Sequence, residues 1–229
     1  MGELERVSGL PLTNFRDEHV DEQVARACRR LDVDDPASLA RVLRADAGER
    51  RRFRRSIAIS HTAMSRDPHQ FALLEHELLP RLLAGGARVS AWSAGCSDGS
   101  ELYSLALLLE RLGALERALL LGSDLLEENL ALAQVGAIDG VTDSVRARVR
   151  FEQRDLVTDG PPPGRWRLVL CRNVAIYMGP GARQRLYRNL VAALARRGVL
   201  LLGRSERLVD PGAFGLRAIA PHAYERVDG

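Results

Sequence analysis

From residue 88 onward the sequence alternates short apolar runs with amphipathic stretches, and this rhythm limits the fold more than any other feature. Arg88–Ser93, Arg117–Ser123, Arg148–Gln153, Trp166–Cys171 and Val199–Leu202 read as strands, and Tyr224–Val227 as a last edge strand. Between them, Ser100–Arg111, Glu127–Val135 and Arg183–Arg197 read as helices, with Gly113 and Gly198 as stop signals. Strands that alternate with helices build a mostly parallel α/β sheet, because right-handed crossovers place helices on both faces.

The part before this rhythm is different. Residues 12–60 are polar, charged and helical in pattern, with Val20, Val24, Ala27 and Leu31 on one face. Asp35-Pro36-Ala37-Ser38 opens a second helix carrying Leu39, Val42 and Leu43, and Pro68 opens another over 68–83, disturbed near its end by Pro80. The expected organisation is a small all-helical N-terminal domain, 1–67, followed by a larger α/β domain, 68–229. At 229 residues with 46% hydrophobic and 28% charged, the chain is long enough to fold without a disulfide or metal staple.

Composition also narrows the function. Cys28, Cys96 and Cys171 form no disulfide framework or zinc spacing, and the five histidines form no ligand motif, so no metal site is expected. No apolar run reaches the length of a membrane span, and Met1–Arg6 reads as neither a secretory nor a myristoylation signal. A cytoplasmic protein without membrane insertion is the expectation. All 33 basic residues are arginine, which points to coding bias first. The dense run Arg50-Arg51-Arg52-Phe53-Arg54-Arg55 reads either as an electropositive docking face or as a solvated helix face balanced by upstream acids. The second reading is favoured, and no nucleic-acid partner is expected.

In parallel sheets ligands bind beyond the carboxyl ends of the strands, so those segments are the ones to inspect. After the first strand comes Trp92-Ser93-Ala94-Gly95-Cys96-Ser97-Asp98-Gly99-Ser100-Glu101, whose small residues let a ligand approach the backbone or simply make a tight turn. After the second comes Asp124, placed to accept both hydroxyls of a ribose or to cap the next helix. After the third comes Asp155-Leu156. After the fourth, Arg172 and Asn173 follow an all-apolar strand. Polar groups carried into a crevice need a partner, either a ligand or neighbouring backbone.

These segments resemble the CheR-type chemotaxis receptor methyltransferases. The loop Trp92–Gly99 with Glu101 and Tyr103-Ser104 is similar to the family's cofactor loop. Cys171-Arg172-Asn173-Val174-x-Ile176-Tyr177 is similar to its most distinctive motif. Leu202-Gly203-x-Ser205-Glu206 resembles its closing strand and turn, and Thr62-Ala63-Met64-Ser65-Arg66-Asp67 its Thr-x-Phe-Phe-Arg-Asp segment. The likeness runs from about residue 12 to the end. It implies a class I methyltransferase (Rossmann-like) fold, S-adenosylmethionine as cofactor with S-adenosylhomocysteine as product, and methyl transfer to a glutamate side chain of an acidic protein such as a chemoreceptor helix. By position, Ser60, Thr62, Arg66, Gly95, Glu101, Asp124, Asp155, Leu156, Arg172 and Asn173 would line the cofactor, and Arg66 and Tyr177 would stand nearest the transferred methyl. On the residues alone, Arg66 also reads as a surface pair with Asp67, and Tyr177 as a core aromatic.

Three departures from the family pattern carry expectations. Met64-Ser65 replaces a Phe-Phe pair, which widens the pocket or makes it more polar. Ser100 stands where the family carries a first glutamate. Gly136 to Phe151 leaves room only for a loop and a short helix where many members insert a small β subdomain that some use to grip a receptor tail. That deletion keeps two rival readings in view: a small-molecule methyltransferase acting on a small carboxylate, and a non-catalytic cofactor-binding module.

Overall fold

The computed structural model describes residues 1–58 and 67–227. The chain divides into two compact units. One takes Met1–Ser60 with Tyr177–Arg185, the other His61–Ile176 with Leu186–Gly229.

The first unit is helical: α1 (Gly2–Ser8), α2 (Asp17–Leu31), α3 (Pro36–Ala45) and α4 (Ala47–Ile57). The start of α3 is as the sequence predicts, and a second acidic cap, Asp46, opens α4. Asp35 accepts from the Ser38 amide at 2.8 Å ahead of Pro36, and Asp46 accepts from the Gly48 and Glu49 amides. Leu4, Val20, Val24, Leu39, Leu43, Phe53 and Ile57 are buried. In α4, Phe53 is the buried residue within the arginine run. Arg50 donates to the Leu43 carbonyl at 3.1 Å and Arg54 to the Ser8 carbonyl at 3.0 Å, so each holds the last turn of a neighbouring helix. Arg51, Arg52 and Arg55 are exposed, with Arg52 facing Glu49 at 3.7 Å.

The second unit is built on a seven-stranded sheet: β1 (Val89–Ala94), β2 (Ala118–Asp124), β3 (Val149–Gln153), β4 (Trp166–Cys171), β5 (Leu194–Leu202), β6 (Leu216–Ala220) and β7 (Ala223–Arg226). Their spatial order is β3-β2-β1-β4-β5-β7-β6, with parallel pairing up to β5 and β7 antiparallel to both its neighbours. This is the mostly parallel, Rossmann-like sheet expected. Its helices are α5 (Pro68–Leu73), α6 (Leu79–Leu83), α7 (Ser100–Arg111), α8 (Glu127–Val135) and the four-residue α9 (Asp143–Arg146); α10 (Pro180–Ala193) begins in the first unit and ends in this one. One face of the sheet (Val89, Ala91, Leu168, Leu170, Val199, Leu201) packs against Leu74, Leu78, Leu102, Leu105 and Leu109.

Two elements differ from the sequence reading. The helix expected over 68–83 is divided by a π-helical turn, Leu74–Leu78. Pro80 lacks the N–H an α-helix needs there and its ring would clash with the carbonyl four residues back, and the wider turn relieves both. The helix expected over Arg183–Arg197 ends at Ala193, and Leu194–Gly198 joins β5 across a register shift between Trp166 and Leu168. Gly198 lies so close to β4 that an added Cβ would meet the Trp166 carbonyl oxygen at 2.8 Å, so Gly198 marks a bulge rather than a helix stop. The strand β6 was not expected at all. Between α8 and β3 the chain holds only loop and α9, with no strand, as the shortened segment predicts.

Candidate active site

The carboxyl ends of β1, β2 and β4 carry one hydrogen-bonded constellation. β1 ends in a loop that folds back onto β2: the Gly95 and Cys96 amides donate to the Ser123 carbonyl at 2.8 and 2.9 Å. Gly95 has φ 82°, and a Cβ there would meet Val174 Cγ2 at 2.5 Å, so this turn admits only glycine without adjustment. Asp124, at the end of β2, is 8% exposed. It accepts from the Ser97 amide at 2.9 Å, the Leu126 amide at 2.9 Å and the Asn129 amide group at 3.0 Å. Burial pushes its carboxyl above the ordinary 3.8, with those three donors pulling the other way. Asp124 is not the N-cap of α8, a place Leu126 takes, but its bonds to Leu126 and Asn129 brace the approach to that helix. Three donors also leave one of its roughly four acceptor directions open.

The second half of the constellation centres on Arg172, directly after β4. Its guanidinium is buried and donates to Gln70 Oε1 at 2.7 Å and Glu101 Oε2 at 2.9 Å. It also faces Asp67 Oδ2 at 3.6 Å and lies 5.5 Å from the centre of the Phe71 ring. Glu101, in the first turn of α7, accepts from Ser93 Oγ at 2.7 Å through its other oxygen. Gln70 in turn donates to the Leu202 carbonyl at 2.7 Å. A buried guanidinium needs partners on several sides; Asp67, α5 and α7 supply them, and Ser93 of β1 and Leu202 of β5 hold those partners in place.

Asn173 has φ 62°, an unusual conformation stabilised by Glu206. The buried Glu206 carboxylate accepts from the amides of Asn173, Val174, Ala175 and Gly203 at 2.7 to 2.9 Å. One side chain thus fastens the loop after β4 to the loop after β5. Neither Gln70 nor Glu206 was given a role from sequence. Glu206 was visible only as part of the Leu202-Gly203-x-Ser205-Glu206 likeness, and Gln70 carried no signal.

The remaining expected residues are placed as follows. Asp155 and Leu156 follow β3: Asp155 accepts from the Val157 amide at 2.8 Å, and the Leu156 carbonyl accepts from Asn189 at 2.9 Å. Ser60, Thr62 and Arg66 lie outside the described residues, as do Met64 and Ser65. Tyr177 belongs to the helical unit. Its ring stands 5.2 Å from that of His19 at 40°, His19 also lies 6.1 Å from the Phe15 ring, and the Tyr177 carbonyl accepts from the Arg16 amide. His19 is itself buried, with Nε2 2.9 Å from the Ile57 carbonyl. Burial pushes the Cys96 and Cys171 thiols far up, which keeps them as neutral packing groups.

The site fits a nucleoside-bearing sulfonium: a backbone turn closed to any side chain at Gly95, an ionisable acceptor at Asp124, and two loops held rigidly by Glu206 and Arg172. Sheet and site together define a class I S-adenosylmethionine-dependent methyltransferase. Comparison with known proteins narrows this further. The family model described as "CheR methyltransferase, SAM binding domain" matches residues 60–140 and 136–220, in two pieces that meet at the shortened segment before β3. A chemotaxis protein methyltransferase of Listeria monocytogenes is 30% identical over 192 residues, covering 73% of each chain. A putative methyltransferase of Pseudomonas putida, Cher3, is 28% identical over 235 residues, covering 89% of this chain and 85% of its own. The chain belongs to the CheR methyltransferase family. Among the described residues, no helix is long and apolar enough to cross a membrane.

Proposed function

We propose that the protein methylates glutamate side-chain carboxylates of an acidic protein, such as a chemoreceptor helix, in the cytoplasm. When bound, S-adenosylmethionine supplies a methyl group already activated on a cationic sulfur. Asp124 accepts a ribose hydroxyl through its one open acceptor direction, the Gly95–Gly99 turn receives the nucleoside against backbone, and Asn173 completes the cradle. Asp155-Leu156 border it from the β3 side. The family likeness assigns Ser60, Thr62 and Arg66, late in the helical domain, 1–67, to the same cofactor as the domain that follows, 68–229.

The observation that supports a carboxylate acceptor is the locked state of Glu101. Both its oxygens are engaged, by Ser93 and by Arg172. It is therefore set to position Arg172 rather than to take a proton. An acceptor amine or hydroxyl needs a base to deprotonate it, whereas a glutamate, with a pKa of about 4.3, arrives as a carboxylate. What is left for the protein is alignment of carboxylate, methyl and sulfur, an effect worth roughly 7–11 kcal/mol. Arg66 holds a carboxylate by its fork, and Tyr177 fixes the angle of attack with one hydrogen bond. The names of the relatives, chemotaxis protein methyltransferases, support the same acceptor.

The test is incubation with methyl-labelled S-adenosylmethionine and cell extract, followed by base. Volatile methanol released from a protein band is the expected result, since carboxyl methyl esters hydrolyse in base. The second reading, a small carboxylate acceptor, is favoured by the short segment before β3, where α9 and loop replace any strand. Label recovered only in the small-molecule fraction would decide for it.

A further inference from the structure

At the amino ends of the parallel strands, opposite the carboxyl-end site, the second unit gathers arginines from β2 to the edge strand β6, while Arg148, ahead of β3, is paired with Glu116. Arg117 and Arg88 directly precede Ala118 and Val89, which pair in register. Arg165 precedes Trp166, Arg197 lies in the β5 bulge, and Arg217 pairs with Glu225, which pairs with Val199. With strands about 4.8 Å apart, the row from β2 to β6 is about 24 Å long.

Little of this charge is neutralised. Arg165 donates to the Ala192 carbonyl, Arg167 to the Arg88 carbonyl, and Arg226 to the carbonyls of Val191 and Leu194. These partners are dipoles, not anions. Arg81, Arg197 and Arg217 converge on one buried carboxylate, Glu225: Arg217 at 2.5 Å, Arg197 at 3.7 Å and Arg81 closer still. A buried carboxylate needs one guanidinium for neutrality, so two charges are surplus. The two arginines are largely solvent-facing, 71% and 63% exposed. Arg197 also adopts φ 55°, in the left-handed region that favours glycine. Arg88 and Arg117 are exposed, with no side-chain partner among the described residues.

We propose that this arginine row is a docking surface for an acidic polypeptide segment. The cluster already holds a carboxylate, and guanidinium forks suit more of them. Among the described residues no Phe, Tyr or Trp ring is exposed on which a base could stack, which disfavours single-stranded nucleic acid. The large apolar side chains exposed beside the row, Leu112, Leu119 and Val227, are too few to anchor in a lipid interface. Because the row lies at the end of the sheet away from the candidate active site, the segment it binds is a tether and not the methyl acceptor. The proposal therefore stands apart from the carboxyl-methylation reading.

The experiment is fluorescence anisotropy of a labelled glutamate-rich peptide with the full chain. S-adenosylhomocysteine affinity and melting temperature are measured alongside for every variant. The double variant Arg197→Ala/Arg217→Ala leaves Arg81 on Glu225 and is expected to weaken peptide binding by about tenfold. Arg88→Glu/Arg117→Glu, which breaks no described contact, is expected to weaken it at least as much. Arg51→Ala/Arg55→Ala in α4 should leave it unchanged, and S-adenosylhomocysteine binding should be the same in all three. Unchanged peptide affinity in both row variants overturns the proposal. So does loss confined to the α4 variant, or tighter binding of oligothymidine or phosphatidylserine vesicles than of the peptide.

Discussion

Arg172 and Glu101 are 71 residues apart in sequence and meet at 2.9 Å in the interior of the second unit. Arg172 leaves β4 and Glu101 opens α7, so the pair ties together the two loops that flank the candidate site. Removing one partner leaves the other charge buried and uncompensated. Glu101→Ala is expected to destabilise the fold by about 3–5 kcal/mol, read as a shift of the urea midpoint at unchanged slope. A shift no larger than that of an exposed surface pair would mean that water already reaches the guanidinium.

Glu206 carries four backbone amides on one carboxylate. Glu206→Ala would strand buried donors, each costing about 1–3 kcal/mol. Glu206→Gln, which keeps one acceptor oxygen, should be the milder variant in stability and still bind S-adenosylhomocysteine about tenfold more weakly, because the Asn173 loop loosens. Calorimetric titration of that variant checks the claim. An affinity equal to wild type would show that the loop holds its shape without Glu206.

Gly95→Ala combines a φ of 82° with a contact of 2.5 Å to Val174 Cγ2. The expected loss is about 1–3 kcal/mol. In a Val174→Ala background the steric part disappears and only the conformational part remains. A double-mutant cycle by thermal melts should therefore show coupling between the two sites, and strict additivity would contradict the packing argument.

Asp124 gives a signed pH dependence. Its folded pKa is raised above 3.8 by burial, so the folded chain holds that proton more firmly than the unfolded chain. Its contribution to stability falls as pH rises from 3.8 through the folded value, then levels off. The wild-type unfolding free energy minus that of Asp124→Asn should follow that course. Ribose hydroxyls need the ionised acceptor, so S-adenosylhomocysteine affinity should weaken as pH falls through the same window. Affinity that holds until the pH is well below 3.8 would refute the shift.

Tyr177 and Asp124 should separate kinetically. Tyr177→Phe keeps the ring that packs on His19 and loses only the hydroxyl. It should lower kcat by about tenfold to a hundredfold with S-adenosylhomocysteine affinity intact, whereas Asp124→Ala should mainly weaken binding. Equal loss of affinity in both would contradict the assigned roles.

The sheet was largely legible because β1, β2 and β4 are apolar runs bounded by glycine or charge, and burial on both faces demands that composition. Leu216–Ala220, apolar but for Arg217, is too short a run for periodicity to mark as a strand, and Leu194–Gly198 misled because Arg183–Arg197 keeps a helical period across the bulge. At the site, Asp124, Arg172 and Asn173 could be located from their place after strands. Their partners could not. Gln70 meets Arg172 across 102 residues and Glu206 meets Asn173 across 33, and nothing local to either residue announces a buried acceptor.

Mass spectrometry of proteins exposed to the enzyme and S-adenosylmethionine tests the central claim most directly. The account predicts the mass of a methyl group on glutamate side chains, removed by mild base. A methyl found only on lysine, arginine or histidine, or surviving base treatment, would contradict it.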